Sequence, residues 1–415
     1  MKLPTIVSLA LCTLTVVSAG NLAHGQSVSQ RGFVEARGFI YPRETLSDDR
    51  QAGADLLLRY EVSVRPAPWL TLSGGLDART DSFGQVAREW AVSWDDRTEL
   101  RPAFALRRAS VMLNRGRLSV EIGKQFVRWG KTDVLTPTDR FAPRDFMEVV
   151  TNDFLPVAAV RATYERNGRS LDLVWQPRFT PSRLPSPDRR WSAFPRQTEI
   201  IAVVDGGAEY PGGSQVGARF SHVASGFEYS VSVFDGHNHL PQIESRVRAR
   251  PPSLEVVRIF PRIRSYGGDF AWPTKWFTLK AEAAYFDSSD PRADRYTLAV
   301  VQVERQSGEW SFVVGYAGEA VATRRAAASF APDRGLTESL LGRASYTIDA
   351  NRSIAVEGAV RRNGHGAWLK TEFSQAIGNH WRVTATGNLI GGRTNDFLGQ
   401  FRRNSNIAAA ARYSF

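Results

Sequence analysis

The chain has 415 residues, 42% of them hydrophobic, and a formal net charge of +11. Beyond residue 25 no run approaches the roughly 18 consecutive apolar residues of a membrane-spanning helix, which excludes such helices. The 34 glycines, 11 tryptophans and 23 phenylalanines do not recur at helical spacing. A β-barrel conceals its hydrophobicity in this way, because only alternate residues of its strands meet lipid.

The first 25 residues have the features of a secretory signal peptide. Lys2 is their only charged residue, and an apolar core runs from Ile6 to Val17. Cleavage is expected after Ala23-His24-Gly25, with Ser18-Ala19-Gly20 as the alternative site. We therefore expect residues 26–415 to form the mature protein as a single domain.

Export limits the chemistry that the mature chain could carry. Cys12, the only cysteine, would leave with the signal, so we expect no disulfide, thiol nucleophile or thiolate metal site. A basic balance fits nucleic acid, anionic lipid or anionic solutes. Because the chain is exported, we expect no nucleic-acid partner and retain the other two.

Alternation with period 2 recurs along the chain after Gly32. Leu56, Leu58 and Tyr60 alternate with Leu57, Arg59 and Glu61. In the last ten residues the odd positions from 407 to 415 are apolar or aromatic. The many segments of this kind, without amphipathic helices between them, predict an all-β, antiparallel, up-and-down transmembrane barrel.

Tight turns alternate with long polar connections. The predicted turns are Pro66–Pro68, Arg115-Gly116, Asn167-Gly168, Ser225-Gly226, Pro273–Lys275, Ser307-Gly308, Asp349–Arg352 and Gly378-Asn379. The predicted long loops are 42–51, 82–102, 130–155, 180–214, 236–253, 288–294, 318–338, 363–366 and 390–405. Short periplasmic turns and long external loops are typical of bacterial outer-membrane barrels, which predicts that both termini are periplasmic.

The segment Leu254–Ala271 decides the strand count. Two strands here would give an odd total, whereas one long strand with Pro261 in its external extension gives about 18. A proline is tolerated best in such a position. We predict 18 strands, with 16 as the alternative.

Aromatic residues beside the predicted turns indicate a membrane boundary. Trp69, Trp276, Trp310 and Trp381 each follow a turn, and Trp272 precedes one. This recurrence predicts the periplasmic aromatic girdle. The terminal Tyr413-Ser414-Phe415 resembles the aromatic signal by which bacterial outer-membrane proteins are recognised for insertion, which implies the barrel assembly machinery as a partner.

The stretch 123–145 contains W-G-K-T-D, P-T-D and P-R-D, and 174–185 continues with W-Q-P-R-F. Together they resemble poorly characterised outer-membrane barrels, porin-like or of the alginate-export type, that carry a W-G-x-x-D, P-x-D, P-R-D loop. The resemblance covers about 60 residues and implies the fold, an outer-membrane location and passage of a solute or polymer. No substrate carries over.

The loop Gly130–Leu155 is the predicted pore constriction, because mixed charges interrupted by prolines suggest an ordered loop able to fold into the lumen. An external lid or a solvated surface loop is the alternative. The proposed constriction residues are Lys131, Asp133, Asp139, Arg140, Arg144 and Asp145.

The predicted inward faces mix charges of both signs, which either select ions or pair across neighbouring strands. The cations proposed to line the lumen are Arg59, Lys280, Lys370, Arg382 and Arg412.

The predicted external loops are rich in arginine. One set comprises Arg246, Arg248, Arg250, Arg258, Arg262 and Arg264. Guanidinium groups bind phosphates bidentately, so these arginines either hold lipopolysaccharide or attract anionic solutes. Their expected position near the bilayer edge favours lipopolysaccharide.

Enzyme signatures are nearly absent. Asp235-Gly236-His237-Asn238-His239 lacks a distant third metal ligand, and His222, His365 and His380 lack a nucleophile elbow. We expect no cofactor, no metal and no enzymatic activity. The sequence favours an outer-membrane channel for small polar, anionic solutes or an exported polymer. The alternatives are an enzyme acting on envelope lipid or glycan, and a closed structural or assembly barrel.

Overall fold

A closed antiparallel barrel of 18 strands forms the body of the computed structural model. The structure describes residues 27–415 except 46, 89–91, 95, 152, 187–188, 193–201, 250–251, 326–330 and 364, so the predicted signal peptide lies outside the described residues. The first nine strands are β1 Ser27–Ile40, β2 Ala52–Ala67, β3 Leu70–Asp81, β4 Phe104–Arg115, β5 Leu118–Gln125, β6 Val157–Arg166, β7 Arg169–Gln176, β8 Gln215–Ala224 and β9 Phe227–His237. The remaining nine are β10 Arg262–Pro273, β11 Thr278–Asp287, β12 Arg295–Ser307, β13 Trp310–Thr323, β14 Ser339–Thr347, β15 Arg352–Arg361, β16 Ala367–Ile377, β17 Trp381–Gly391 and β18 Asn406–Ser414.

The first and last strands close the barrel. β18 pairs with β1 from Ile407 opposite Ile40 to Ser414 opposite Phe33. At the very end, the N–H of Phe415 donates to the Gly32 carbonyl at 2.9 Å, and the Gly32 N–H donates to the Phe415 carbonyl at 3.0 Å. A Cβ at residue 32 would lie 2.6 Å from the Phe415 ring and 2.9 Å from the Arg59 carbonyl oxygen, so a larger residue there would displace the Phe415 ring or the neighbouring strand.

The predicted alternation separates an outward from an inward face. Large apolar side chains such as Leu340, Leu389 and Ile407 stay exposed on the outer surface, where lipid would cover them. Polar neighbours such as Glu282 and Asn406 are buried on the inner side. In β18 the odd-numbered residues face outward, as predicted.

All connections at one end of the barrel are short and nearly all at the other end are long, as the sequence predicts. The short-turn end has connections at 68–69, 116–117, 167–168, 225–226, 274–277, 308–309, 348–351 and 378–380. The long-loop end has connections at 41–51, 82–103, 126–156, 177–214, 238–261, 288–294, 324–338, 362–366 and 392–405. None of the helices in the described part of the chain is long and apolar enough to cross a membrane.

The prediction of one long strand through Pro261 is wrong. The chain breaks at Phe260-Pro261 into Pro252–Ile259 and β10. The first piece lies outside the barrel, between Ala202–Glu209 and Gln242–Ala249 in a separate three-stranded sheet. Proline lacks the N–H that a continuing strand would need. The predicted count of 18 is nevertheless confirmed, because the extra strand belongs to the loops.

The girdle residues lie on the outer surface near the short turns. Trp69, Trp276, Trp310 and Trp381 are all exposed there. Trp381 packs on Tyr413 with ring centroids 5.1 Å apart. An indole in this position has an apolar body in lipid and an N–H near water, which stabilises the barrel at the membrane interface.

Candidate pore constriction

The connection 126–156, hereafter the constriction loop after the role that the sequence predicts for it, lies inside the barrel against the inner wall. Its main anchor is Glu282 of β11, whose carboxylate accepts the backbone N–H groups of Lys131 (2.8 Å), Thr132 (3.1 Å) and Thr138 (2.8 Å). The hydroxyls of both threonines donate to it as well, at 2.9 and 2.8 Å. Five donors on one buried carboxylate fix the loop to the wall.

The W-G and P-T-D segments fold the loop back on itself. Asp139 accepts the N–H of Trp129 at 2.6 Å and that of Gly130 at 2.7 Å. A Cβ on Gly130 would lie 2.5 Å from Thr136, so glycine is required at this close approach. The Trp129 indole donates to Asp172 of β7 at 2.9 Å. These motif residues therefore shape and attach the loop.

Aromatic packing holds the same part of the loop against the wall. Phe141 lies edge-on between Trp129 (5.3 Å between centroids) and Phe234 of β9 (5.0 Å). Phe286 and Leu298 of the adjoining strands belong to the same buried cluster. Burial of this apolar surface gives the loop a hydrophobic core within the barrel.

A buried ion cluster joins the constriction loop to two other loops. Asp145 of the P-R-D segment accepts two hydrogen bonds from Arg101 (2.9 and 3.1 Å) and one from Arg183 (2.8 Å). The neighbouring Asp96 contacts Lys124 of β5 at 2.6 Å. The guanidinium groups lower the pKa of Asp145 well below its usual range despite burial, because they stabilise the carboxylate. The cluster connects loops 82–103, 126–156 and 177–214.

Arg140 and Arg144 lie on the cavity side of the loop. Arg140 is 5% exposed, and its Nε and Nη1 atoms have no hydrogen-bond partner among the described residues. It lies over the Phe286 ring at 4.8 Å. Arg144 donates to the Thr136 hydroxyl at 2.8 Å, and burial lowers its pKa to about 10. Both guanidinium groups therefore lie where solvation is poor.

Cavities remain between the loop and the opposite wall. One of about 330 Å³ is lined by Arg140, Arg144, Trp368 and Lys370. A second, of about 420 Å³, is lined by β1 and β16–β18. A third, of about 510 Å³, lies along β11–β15. Lys370 borders the first two and Glu357 the first and third, so the three cavities adjoin around one side of the loop.

The other predicted constriction residues have different surroundings. Lys131 contacts Glu228 at 2.5 Å, and Asp133 accepts a hydrogen bond from the Gln302 side chain. Asp139 and Asp145 are buried within the loop structure. Of the six predicted residues, Asp133, Asp139, Arg140 and Arg144 border the first cavity.

The predicted lumen cations point inward, and most of them pair with carboxylates. Arg59 contacts Asp77 at 2.8 Å, Lys370 contacts Glu372 at 3.1 Å, Arg412 contacts Glu35 at 2.6 Å, and Lys280 contacts Glu304. Arg382 instead donates to the Ser374 hydroxyl at 2.9 Å, and no carboxylate lies within 4 Å of it in the part of the chain that the structure describes. Its charge is therefore unbalanced on the wall of the second cavity.

Sequence reasoning missed a buried serine–histidine contact. Ser182 Oγ lies 2.8 Å from His239 Nδ1, and the same oxygen accepts the N–H of Arg144 at 2.9 Å. Burial lowers the pKa of His239 well below its usual value, and the nearby Arg140 and Arg144 lower it further. His237 instead faces the Phe260 carbonyl at 3.0 Å, so the two histidines of the D-G-H-N-H segment point to different partners.

These features define a class: an 18-stranded barrel of the outer-membrane porin type with a loop folded against its inner wall. Residues 93–320, more than half of the chain, match the family described as "Protein of unknown function (DUF1302)". The chain belongs to this family. No curated protein matches it.

Solved structures share the barrel. OccAB4 of Acinetobacter baumannii aligns with a TM-score of 0.55 at 9% identity over 94% of this chain and 98% of that one. A BenF-like porin from Pseudomonas fluorescens Pf-5 also aligns with a TM-score of 0.55 at 9% identity, over 94% of this chain and 98% of that one. OccK9 (OpdG) of Pseudomonas aeruginosa gives 0.54 at 12% identity over 94% and 97%. At these identities the likeness concerns the fold alone.

Proposed function

We propose that this protein is an outer-membrane channel that passes small polar solutes and prefers anions. The observation that carries the proposal is the position of Arg140 and Arg144, on a loop held inside the barrel and facing a cavity that borders the opposite wall. The similar solved structures share only the fold with this chain and do not indicate its solute. The solute class therefore rests on the charges of this chain.

Charge at a narrow point acts strongly on a passing ion. The Debye length is ~8 Å at physiological salt, so salt would screen the interaction between an ion beside the loop and the charges of Arg140 and Arg144 only weakly. Arg382 adds a cation on the wall of the adjoining second cavity. Most of the predicted lumen cations pair with carboxylates. Arg140 and Arg382 have no carboxylate within 4 Å in the part of the chain that the structure describes, so their charges contribute directly to an anion preference.

The proposal includes the location. The outward apolar band, the aromatic girdle and the terminal Phe415 support insertion in the outer membrane after removal of residues 1–25. Short turns and both termini would face the periplasm, and long loops the exterior. Lipopolysaccharide and the assembly machinery would be partners.

Recordings in a planar lipid bilayer under a salt gradient test the channel. We expect the purified protein to conduct ions, and the sign of its reversal potential to show that anions permeate more readily than cations. Arg140→Gln with Arg144→Gln should move that potential toward zero. Arg246→Gln with Arg248→Gln, in the separate three-stranded sheet of the loops, is the matched control and should leave the reversal potential unchanged, because exposed charge is screened. A wild-type protein that conducts nothing would refute the channel.

Deletion of residues 133–146 tests the constriction separately. It should raise conductance and weaken the anion preference, because it removes both arginines together with Thr138, one of the three residues that bind Glu282. Unchanged conductance would show that this segment does not narrow the pore.

A further inference from the structure

One part of the outer surface combines an apolar groove with exposed arginines. The groove, about 460 Å³, runs across β6–β9 near the long-loop end. The strand register gives it two rows of outward side chains. The row nearer the loops is Val160, Trp175, Val216 and Asp235, and the row below it is Ala162, Leu173, Ala218 and Val233.

The groove exists because small residues alternate with large ones. Ala162 and Ala218 leave space beside Leu173 and Val233, two residues that stay 46% and 43% exposed. The apolar lining suits a hydrocarbon chain, which contacts apolar walls without needing hydrogen bonds.

Arginines continue the upper row on the next strand. Asp235 is in register with Arg264 of β10, and Arg262 lies one outward position nearer the loops. Asp235 accepts hydrogen bonds from both, at 2.6 Å from Arg262 Nη2 and 2.8 Å from Arg264 Nε. One carboxylate thus serves two guanidinium groups, which remain 58% and 62% exposed, and the group keeps a net positive charge.

The polar and apolar parts of this surface meet between Arg264 and Tyr266 of β10. Below Arg264, the outward positions of β10 are Tyr266, Gly268, Phe270 and Trp272. An arginine pair at the edge of an apolar band can bind a phosphate while an attached hydrocarbon chain lies on the band.

We propose that Arg262, Arg264 and the groove form a binding site for lipid A, the phosphorylated glycolipid of the outer leaflet. A lipid A phosphate binds the two guanidinium groups, and one acyl chain lies in the groove between Trp175 and Val233. The site rests on the proposed orientation of the long loops toward the exterior, but it makes no use of conduction through the lumen.

Native mass spectrometry of the full chain in detergent, with lipid A added, tests the site. We expect one lipid A to be retained, and Arg262→Gln with Arg264→Gln to weaken its binding about tenfold. Ala218→Trp fills the groove without touching the arginines and should also weaken binding. Arg246→Gln with Arg248→Gln is the matched control and should bind as wild type. Heat-dependent electrophoretic mobility verifies that each variant forms the barrel.

Two further ligands distinguish the contribution of the phosphate to binding from that of the hydrocarbon chain. Lipid A freed of its phosphates should bind the wild type as weakly as lipid A binds the arginine variant. Phosphatidylglycerol should bind less tightly than lipid A. Equal binding of lipid A by the wild type and the arginine variant would overturn the proposal. The proposal would also be overturned if the wild type formed a dimer and Ala218→Trp dissociated it, because a second copy of the chain would then cover the groove. A protein that binds lipid A yet conducts nothing would refute only the channel.

Discussion

The barrel wall and the constriction loop are stabilised in different ways. The wall consists of backbone ladders between neighbouring strands, and its side chains repeat with period 2. The loop has almost no regular structure and depends on a few buried carboxylates, chiefly Glu282, Asp139 and Asp145, that accept several hydrogen bonds each. We expect the wall to tolerate substitution at most positions, because each of its residues contributes little to the stability of the barrel. The loop depends on single side chains.

The ends of the wall are an exception to this tolerance. Phe415→Ala should lower the amount of assembled barrel severely while leaving the stability of already folded barrel much less affected. Phe415 packs over Gly32 and resembles an insertion signal. The amount of heat-modifiable barrel in membranes, compared with the unfolding midpoint of the purified variant, measures the two effects. Wild-type yield in cells would contradict the role of Phe415 in assembly.

The buried cluster should give the next largest effect. Asp145→Ala leaves Arg101 and Arg183 buried without their carboxylate, a change that costs about 3–5 kcal/mol in comparable sites. Because the wall has its own ladders, we expect loss of loop packing within an intact barrel. Limited proteolysis should cut within 126–156 while electrophoresis still shows a folded barrel. Unchanged protease resistance would contradict this separation of wall and loop.

The same carboxylate predicts a dependence on pH. Its folded pKa is lowered, so its stabilisation is complete above the unfolded value of about 3.9 and is lost as pH falls below that value toward the folded pKa. The resistance of the loop to protease should be constant from neutral pH to about pH 5 and decline below about pH 4. The Asp145→Asn variant should lack this acid-dependent step.

Glu282→Gln should have a smaller effect. The amide keeps the shape of the side chain, but only its oxygen can accept hydrogen bonds, so the donors that face the other carboxylate oxygen lose their acceptor. The remaining hydrogen bonds lose a charged acceptor, for which such bonds are worth about 1.5–3 kcal/mol each. We expect a loop that leaves the wall intermittently, seen as noisier single-channel current of higher mean conductance. Glu372→Gln, an inward carboxylate paired with Lys370, is the control. Identical current noise in both variants would mean that Glu282 does not restrain the loop.

The sequence by itself determined the barrel. Period-2 alternation, the lengths of the connections and the aromatic residues beside turns predict 18 strands, because a closed sheet in lipid must satisfy its backbone hydrogen bonds locally and present apolar side chains at every second position. The segment around Pro261 was wrongly predicted to be one long strand of the wall, because a strand in the loops shows the same alternation of residues as a strand in the wall.

The tertiary structure decided the site. No local pattern distinguishes Glu282 from other inward carboxylates such as Glu372, and its role appears only when residues 131–138 lie against it. Likewise, Asp145 was predicted to face the pore but lies buried between Arg101 and Arg183, both distant in sequence. Electrostatic pairs depend on distances of a few ångströms between separate loops, and only the folded barrel fixes those distances.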